Sequence, residues 1–346
     1  MQLGDFDYHL SRELIAQEPI KPRDHSRLLV LNRKDKTIRH RHFFEVGNYL
    51  KEGDVLVCNQ SEVIPAKLSG YRIGESGKKA KLDLLLLESK KKRVWEFLVK
   101  PIKRIKAGDQ VRIEGNSNQL QAIVEEVLEN GVALLRFKED DKVILEFFDR
   151  YGGVPLPPYI QNDKIRRSQY QTIYAKEKGS VAAPTAGFHF TVSLVEKLKQ
   201  KGIQFVFVTL HVGLGTFQPV RCEKIEDHKM HLERFELDQK TANLLNKARE
   251  NKRRIIAIGT TSVRVLESSF QGGKFISQTA ETSLFIYPGY QFKAVDAMIT
   301  NFHLPQSTLL MLVSAFAGKE LIDKAYSEAI KKHYRFYSFG DAMLIL

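Results

Sequence analysis

Short apolar runs bounded by polar residues set the reading of this chain. Leu28-Leu29-Val30-Leu31, Val55-Leu56-Val57-Cys58 and the stretches 204–210, 254–258 and 294–299 predict buried strands, because a strand covered on both faces needs no polar alternation. Apolar positions recur at helical spacing over 241–250, 261–268 and 319–333. Ser307 is placed to cap a helix whose Leu309, Leu312, Val313 and Phe316 share one face, and 342–346 reads as a last strand. From 66 to 138 the texture changes: short β segments at 66–72, 81–87, 94–99, 110–113, 119–127 and 132–137 are punctuated by Gly, Asn, Lys and Asp. A helix at 142–150 and a stiff connector holding Pro155, Pro157 and Pro158 lead back. The expected fold is α/β: a layered main domain over 1–64 and 155–346, with a small antiparallel β-barrel domain inserted at 65–154.

A chain of 346 residues, 43% hydrophobic and 27% charged, can bury a full core, and it carries no internal repeat. Its apolar runs are too short to span a bilayer, and Asp5 and Asp7 stand where an export signal would be basic, so a cytoplasmic protein is expected. Cys58 and Cys222 have neither disulfide-framework nor zinc-ligand spacing. The formal charge of +13 attracts a polyanion. Residues 21–41 and 88–106 each hold eight basic residues against two acidic ones, a pattern that suits an extended RNA and equally a solvated basic face.

Candidate chemistry gathers in four loops. Ser180 to Thr191 (Ser-Val-Ala-Ala-Pro-Thr-Ala-Gly-Phe-His-Phe-Thr) combines small residues, which let backbone approach a ligand, with His189 between two phenylalanines. A core histidine beside a tight turn is the competing reading. The other three loops are His211 to Phe217, Gly259 to Arg264, and Thr300 to Thr308, each at a strand end. If those strands are parallel, His211, Arg264 and His303 converge with His189 on one sheet edge, and the Ser307 helix start offers unpaired N–H groups to an anion. Gly213-x-Gly215 lacks the third glycine of a dinucleotide loop, and His228-x-x-His231 lacks a third metal ligand, so a surface pair is the simpler reading of the latter.

With 285–290, 296–318 and Tyr334 to Met343, and with Leu14 to Gln17, Arg23-Asp24, Ser26-Arg27 and 155–160, these loops closely resemble the S-adenosylmethionine:tRNA ribosyltransferase-isomerases of queuosine biosynthesis, in the same order along essentially the whole chain. The resemblance implies transfer and isomerisation of the ribosyl portion of S-adenosylmethionine onto 7-aminomethyl-7-deazaguanine in tRNA. Epoxyqueuosine forms, and adenine and methionine leave. It implies S-adenosylmethionine as co-substrate and no metal or redox cofactor, tRNA as partner, no membrane, and a monomer.

On that basis His189, His211 and His303 are the candidate proton carriers. Ala183, Pro184, Thr185, Gly187, Phe188, Gly213, Gly215, Thr216, Thr260, Thr261, Arg264, Asn301, Phe302 and Ser307 are the candidate S-adenosylmethionine contacts. Lys21, Arg23, Arg27, Lys67 and Arg335 are the candidate tRNA contacts. Glu62 stands where the family usually has arginine, and Gly153 where a bulkier residue is common. Two other readings compete: an S-adenosylmethionine-dependent RNA methyltransferase, and a non-catalytic RNA-binding module.

Overall fold

The structure, a computed structural model, describes residues 1–346 except 75–78, 117, 163, 214–219 and 221. The chain opens with a hairpin of β1 (Arg27–Asn32) and β2 (Thr37–His42), then β3 (Val55–Asn59) and β4 (Ser61–Val63). The insert follows: β5 (Lys67–Ile73), β6 (Lys79–Lys91), β7 (Val94–Lys100), β8 (Gln110–Glu114), β9 (Gln119–Val127), β10 (Val132–Phe137) and α1 (Asp141–Tyr151). Next come β11 (Glu177–Ser180), α2 (Val192–Gln200), β12 (Gln204–Leu210), β13 (Glu233–Leu237), α3 (Gln239–Glu250), β14 (Ile255–Ile258) and α4 (Gly259–Ser269). A small hairpin, β15 (Phe270–Gln271) and β16 (Lys274–Phe275), precedes β17 (Gln278–Thr282), β18 (Ala297–Asn301), α5 (Thr308–Ala317), α6 (Lys319–Lys331) and β19 (Ala342–Ile345).

Among the described residues the insert is a closed antiparallel barrel in the order β10-β7-β6-β5-β8-β9. Alternation explains its filling: Leu82, Leu84 and Leu86 of β6 point inward with Phe97, Ile113 and Leu135, and α1 plugs the barrel with Ile144, Phe147 and Phe148. Lys67 and Gly153 exchange backbone hydrogen bonds of 2.7 and 3.1 Å, so the two ends of the insert meet.

The main sheet runs β17-β13-β12-β3-β14-β18-β19-β1-β2. Its central strands β12, β3, β14 and β18 are parallel, so their C-terminal ends open on one edge. β19 lies antiparallel to β18, and β1 parallel to β19, so Ser26 and Asp341 arrive at that same edge from their strands' N-terminal ends. Side-chain alternation loads both faces: Leu29, Leu31, Val55 and Val57 pack on one with α5 and α6, and Leu28, Val30, Leu56 and Cys58 on the other with α2. α5 departs from the expected single apolar face. Leu310 through Ser314 and Phe316 are all buried, while Leu309 is only half-buried, because the sheet and α6 enclose this helix. Part of the basic stretch 21–41 is β2, whose Arg39 and Arg41 keep the sheet's edge exposed and charged. Among the described residues, no helix is long and apolar enough to cross a membrane.

Candidate active site

A cavity of about 380 Å³ opens at the C-terminal ends of β12, β14 and β18. Residues 182–186, Val212, the start of α4 and the 300–308 loop line it, so the four loops do converge. Gly259 joins β14 to α4 at φ 84°, a left-handed turn that glycine makes without strain and that brings Thr260 and Thr261 to the cavity wall. At α5, Ser307 Oγ accepts from the Leu310 N–H at 3.2 Å, and Ser307 and Thr308 also line the wall. Two helix N-termini thus favour negative charge in one space.

Asn301 is held there by three hydrogen bonds. Its Nδ2 donates to the Tyr337 carbonyl at 3.2 Å and to His189 Nε2 at 3.2 Å, and its Oδ1 accepts from Thr185 Oγ1 at 2.9 Å. An amide N–H can only donate, so His189 Nε2 is an acceptor, and its Nδ1–H donates to Ser26 Oγ at 2.7 Å. The imidazole stacks on Phe43 with ring centres 5.0 Å apart. Burial first, and then the charges of Arg23 and Arg335, lower the His189 pKa to about 3. His189 is therefore neutral at pH 7 and holds Asn301 from behind; the cavity lining does not include it.

His303 does line the cavity. Thr300 Oγ1 holds its Nε2 at 2.8 Å, the His303 backbone N–H donates to Tyr326 Oη at 2.9 Å, and Tyr8 Oη donates to the His303 carbonyl. Burial lowers its pKa to about 3 as well. His211 lies outside the lining, half-buried beside Gly179, where a Cβ would stand 2.9 Å from the imidazole Nδ1. Burial, and Arg234 after it, lower its pKa.

Arg264 lines the cavity but is already engaged: Nη1 donates to Glu233 Oε2, Nε to the Leu284 carbonyl at 3.2 Å and Nη2 to the Thr282 carbonyl at 3.1 Å. Burial lowers its pKa to about 10. Glu233 also accepts from the Gly213 N–H at 3.1 Å. Gly215 and Thr216 lie outside the described residues.

Ala183, Pro184 and Phe302 line the wall, whereas Gly187 and Phe188 do not. A Cβ on Gly187 would fall 2.1 Å from Tyr174 Oη, so the glycine is required by protein packing. Phe188 packs against Tyr170 and Phe339 with the Arg23 guanidinium 4.9 Å from its ring centre. Arg23 also donates to the Gln169 carbonyl. Arg27 lies 3.8 Å over the Tyr334 ring and donates to the Lys332 carbonyl at 2.6 Å, and Arg335 Nη1 reaches the Glu18 carbonyl at 3.4 Å. Lys21 and Lys67 are exposed. Glu62 forms an ion pair with Arg167 at 3.1 Å, and the nearest atom to a Cβ on Gly153 is 3.5 Å away, which leaves room for a side chain.

Sequence reasoning missed Glu233, and it missed that His228 and His231 line the cavity. The one available signal is their own run, His228-x-x-His231-x-Glu233, whose two histidines read from the sequence as a surface pair in preference to a metal site.

A family model described as queuosine biosynthesis protein matches residues 3–345. A protein of Thermotoga petrophila is 51% identical over 347 residues, and one of Staphylococcus saprophyticus 49% over 347 residues, each aligned over 100% of both chains. Both are described as S-adenosylmethionine:tRNA ribosyltransferase-isomerase. The crystal structure of the Thermotoga maritima S-adenosylmethionine tRNA ribosyltransferase is 42% identical, covers 99% of this chain and 100% of its own, and superposes with a TM-score of 0.57.

Proposed function

The chain belongs to the queuosine biosynthesis protein family, and on that premise we propose that it transfers and isomerises the ribosyl portion of S-adenosylmethionine onto 7-aminomethyl-7-deazaguanine in tRNA. Epoxyqueuosine is formed, with release of adenine and methionine. One observation carries the placement of this chemistry: four strand-end loops and the N-termini of α4 and α5 enclose a single cavity that also holds the pinned Asn301 amide.

The methionine carboxylate suits the two helix starts at Thr260, Thr261 and Ser307, because their N–H groups and dipoles favour an anion. The buried pair Arg264–Glu233 shapes the wall beside them. Phe302 and Phe285, both on the lining, offer ring faces to the sulfonium. Asn301 and neutral His303 hydrogen-bond the ribosyl portion, and His189 keeps the Asn301 amide turned the right way. The sulfonium acidifies the adjacent C–H, and adenine is the leaving base, so this reading needs no metal or redox cofactor. Lys21 and Lys67, exposed on the surface, fit tRNA phosphates better than Arg23, Arg27 and Arg335, which are held in protein contacts. The loops and helix ends all come from one chain, which supports a monomer, and a tRNA substrate supports work in the cytoplasm.

Product analysis tests the reading. Protein, S-adenosylmethionine and tRNA bearing the precursor base are expected to yield adenine and methionine in equal amounts. S-adenosylhomocysteine would instead mark a methyltransferase, and unchanged S-adenosylmethionine a binding module.

A further inference from the structure

We propose that His228 is a catalytic residue of this reaction, the base that takes the proton from the ribosyl carbon bonded to sulfur. The inference rests on the function proposed above.

Its ground is the short run leading into β13, which brings His228 and His231, with Glu233 at the start of β13, to the same cavity wall that the 300–308 loop lines. His228 is half-buried, with its ring set edge-on against Phe285 at 5.3 Å and 74°. It is thus held in place without being sealed from the cavity.

The other titratable groups on this wall are less suited to carry a proton. Glu233 is occupied by Arg264 and the Gly213 N–H, and Arg264 donates to Glu233 and two carbonyls. His303 is tied to Thr300 and is so depressed by burial that it accepts a proton poorly. Burial pushes Tyr159 up to about 12, and Tyr170 and Tyr337 upward too, so none of them is an anion near neutral pH. His231 is exposed at the rim. Burial, then the proximity of His231, lowers the His228 pKa and keeps its ring neutral and ready to accept at pH 7.

In the step, the C–H electron pair stays on carbon beside the positive sulfur and gives a neutral ylide, while the imidazole becomes imidazolium. The ylide pair then moves in to form a C=C bond with the neighbouring ring carbon, the bond from that carbon to the ring oxygen breaks, and its pair forms a C=O bond at the carbon bearing adenine. The C–N bond there breaks with its pair leaving on the adenine nitrogen, which takes the proton from the imidazolium. The imidazole is regenerated.

The test uses His228→Gln and Phe285→Leu in the full-length chain, with S-adenosylmethionine affinity by calorimetry and single-turnover adenine release across pH 5 to 9. His228→Gln is expected to bind S-adenosylmethionine within about threefold of wild type, to release adenine about 10² to 10³ times more slowly, and to lose the acidic limb of the rate profile. Phe285→Leu admits water to the imidazole, so that limb is expected to move to higher pH. A His228→Gln rate and limb matching wild type would overturn the proposal, as would a limb that Phe285→Leu leaves in place. Failure of wild type to release adenine would count against the function itself, a separate outcome.

Discussion

Lowering the pH from 6.5 to 5 should unfold this protein more readily, for reasons set by two imidazoles. His189 and His303 have pKa values near 3 when folded, against an ordinary value of 6.5. Below pH 6.5 the unfolded chain binds protons that the folded chain refuses, so the stability these groups contribute is intact above pH 6.5 and falls as pH drops toward 3. At about 1.4 kcal/mol per pH unit for each group, the loss between pH 6.5 and 5 is about 2 kcal/mol apiece and about 4 kcal/mol together. That is a large part of the 5–15 kcal/mol, roughly, that holds a typical fold. A chain with an inserted barrel need not unfold in one step, so proton uptake is a firmer observable than a fitted stability. Calorimetric unfolding at pH 5.5, in two buffers of different ionisation enthalpy, gives that uptake directly. His189→Gln and His303→Gln should each take up about one proton fewer than wild type. Asp341, whose carboxyl burial pushes up, acts in the opposite sense in every variant and cancels in the comparison. Unchanged uptake in both variants would show that these rings already titrate when folded, and the argument that they are poor proton carriers would fall with it.

Replacing Glu233 by Leu strands the buried Arg264 guanidinium and should lower stability by about 3–5 kcal/mol in denaturant melts, with much of that recovered in the Glu233→Leu, Arg264→Met double variant. Neutralising Arg23 and Arg27 together should lower the melting temperature, because each guanidinium stacks on aromatic rings, yet change the salt slope of tRNA binding by less than about one unit. A slope change of about two would return both to the tRNA footprint. Joining residue 66 to residue 153 through a short linker should leave the main sheet folded by circular dichroism and limited proteolysis, since Lys67 and Gly153 already meet. Collapse of that variant would make the barrel, which shares its core with Val181, integral to the main domain.

Strands that are apolar throughout, such as β3 and β14, were plain in the sequence, and so was the closely spaced run of barrel strands. Three strands of the main sheet were not. β2 (Thr-Ile-Arg-His-Arg-His) and β17 (Gln-Thr-Ala-Glu-Thr) lie at the two edges and bury little, and β13 (Glu-Arg-Phe-Glu-Leu) buries only alternate residues, so charge hid all three. The convergence of the loops after β12, β14 and β18 was legible because it follows from parallel strands, whereas 182–186 comes from β11, which lies outside the main sheet. Histidine orientation was not: what turns His189 away from the cavity is Ser26, 163 residues away, together with Asn301. Small residues misled in one place, since Gly187 makes room for Tyr174 rather than for a ligand.

That S-adenosylmethionine occupies the cavity at the ends of β12, β14 and β18 can be tested by photocrosslinking with its 8-azido analogue, followed by peptide mapping. Label is expected on peptides carrying 182–186, 259–264 and 300–308, and unmodified S-adenosylmethionine should compete it away. Competed label confined to barrel peptides within 67–137 would contradict the account.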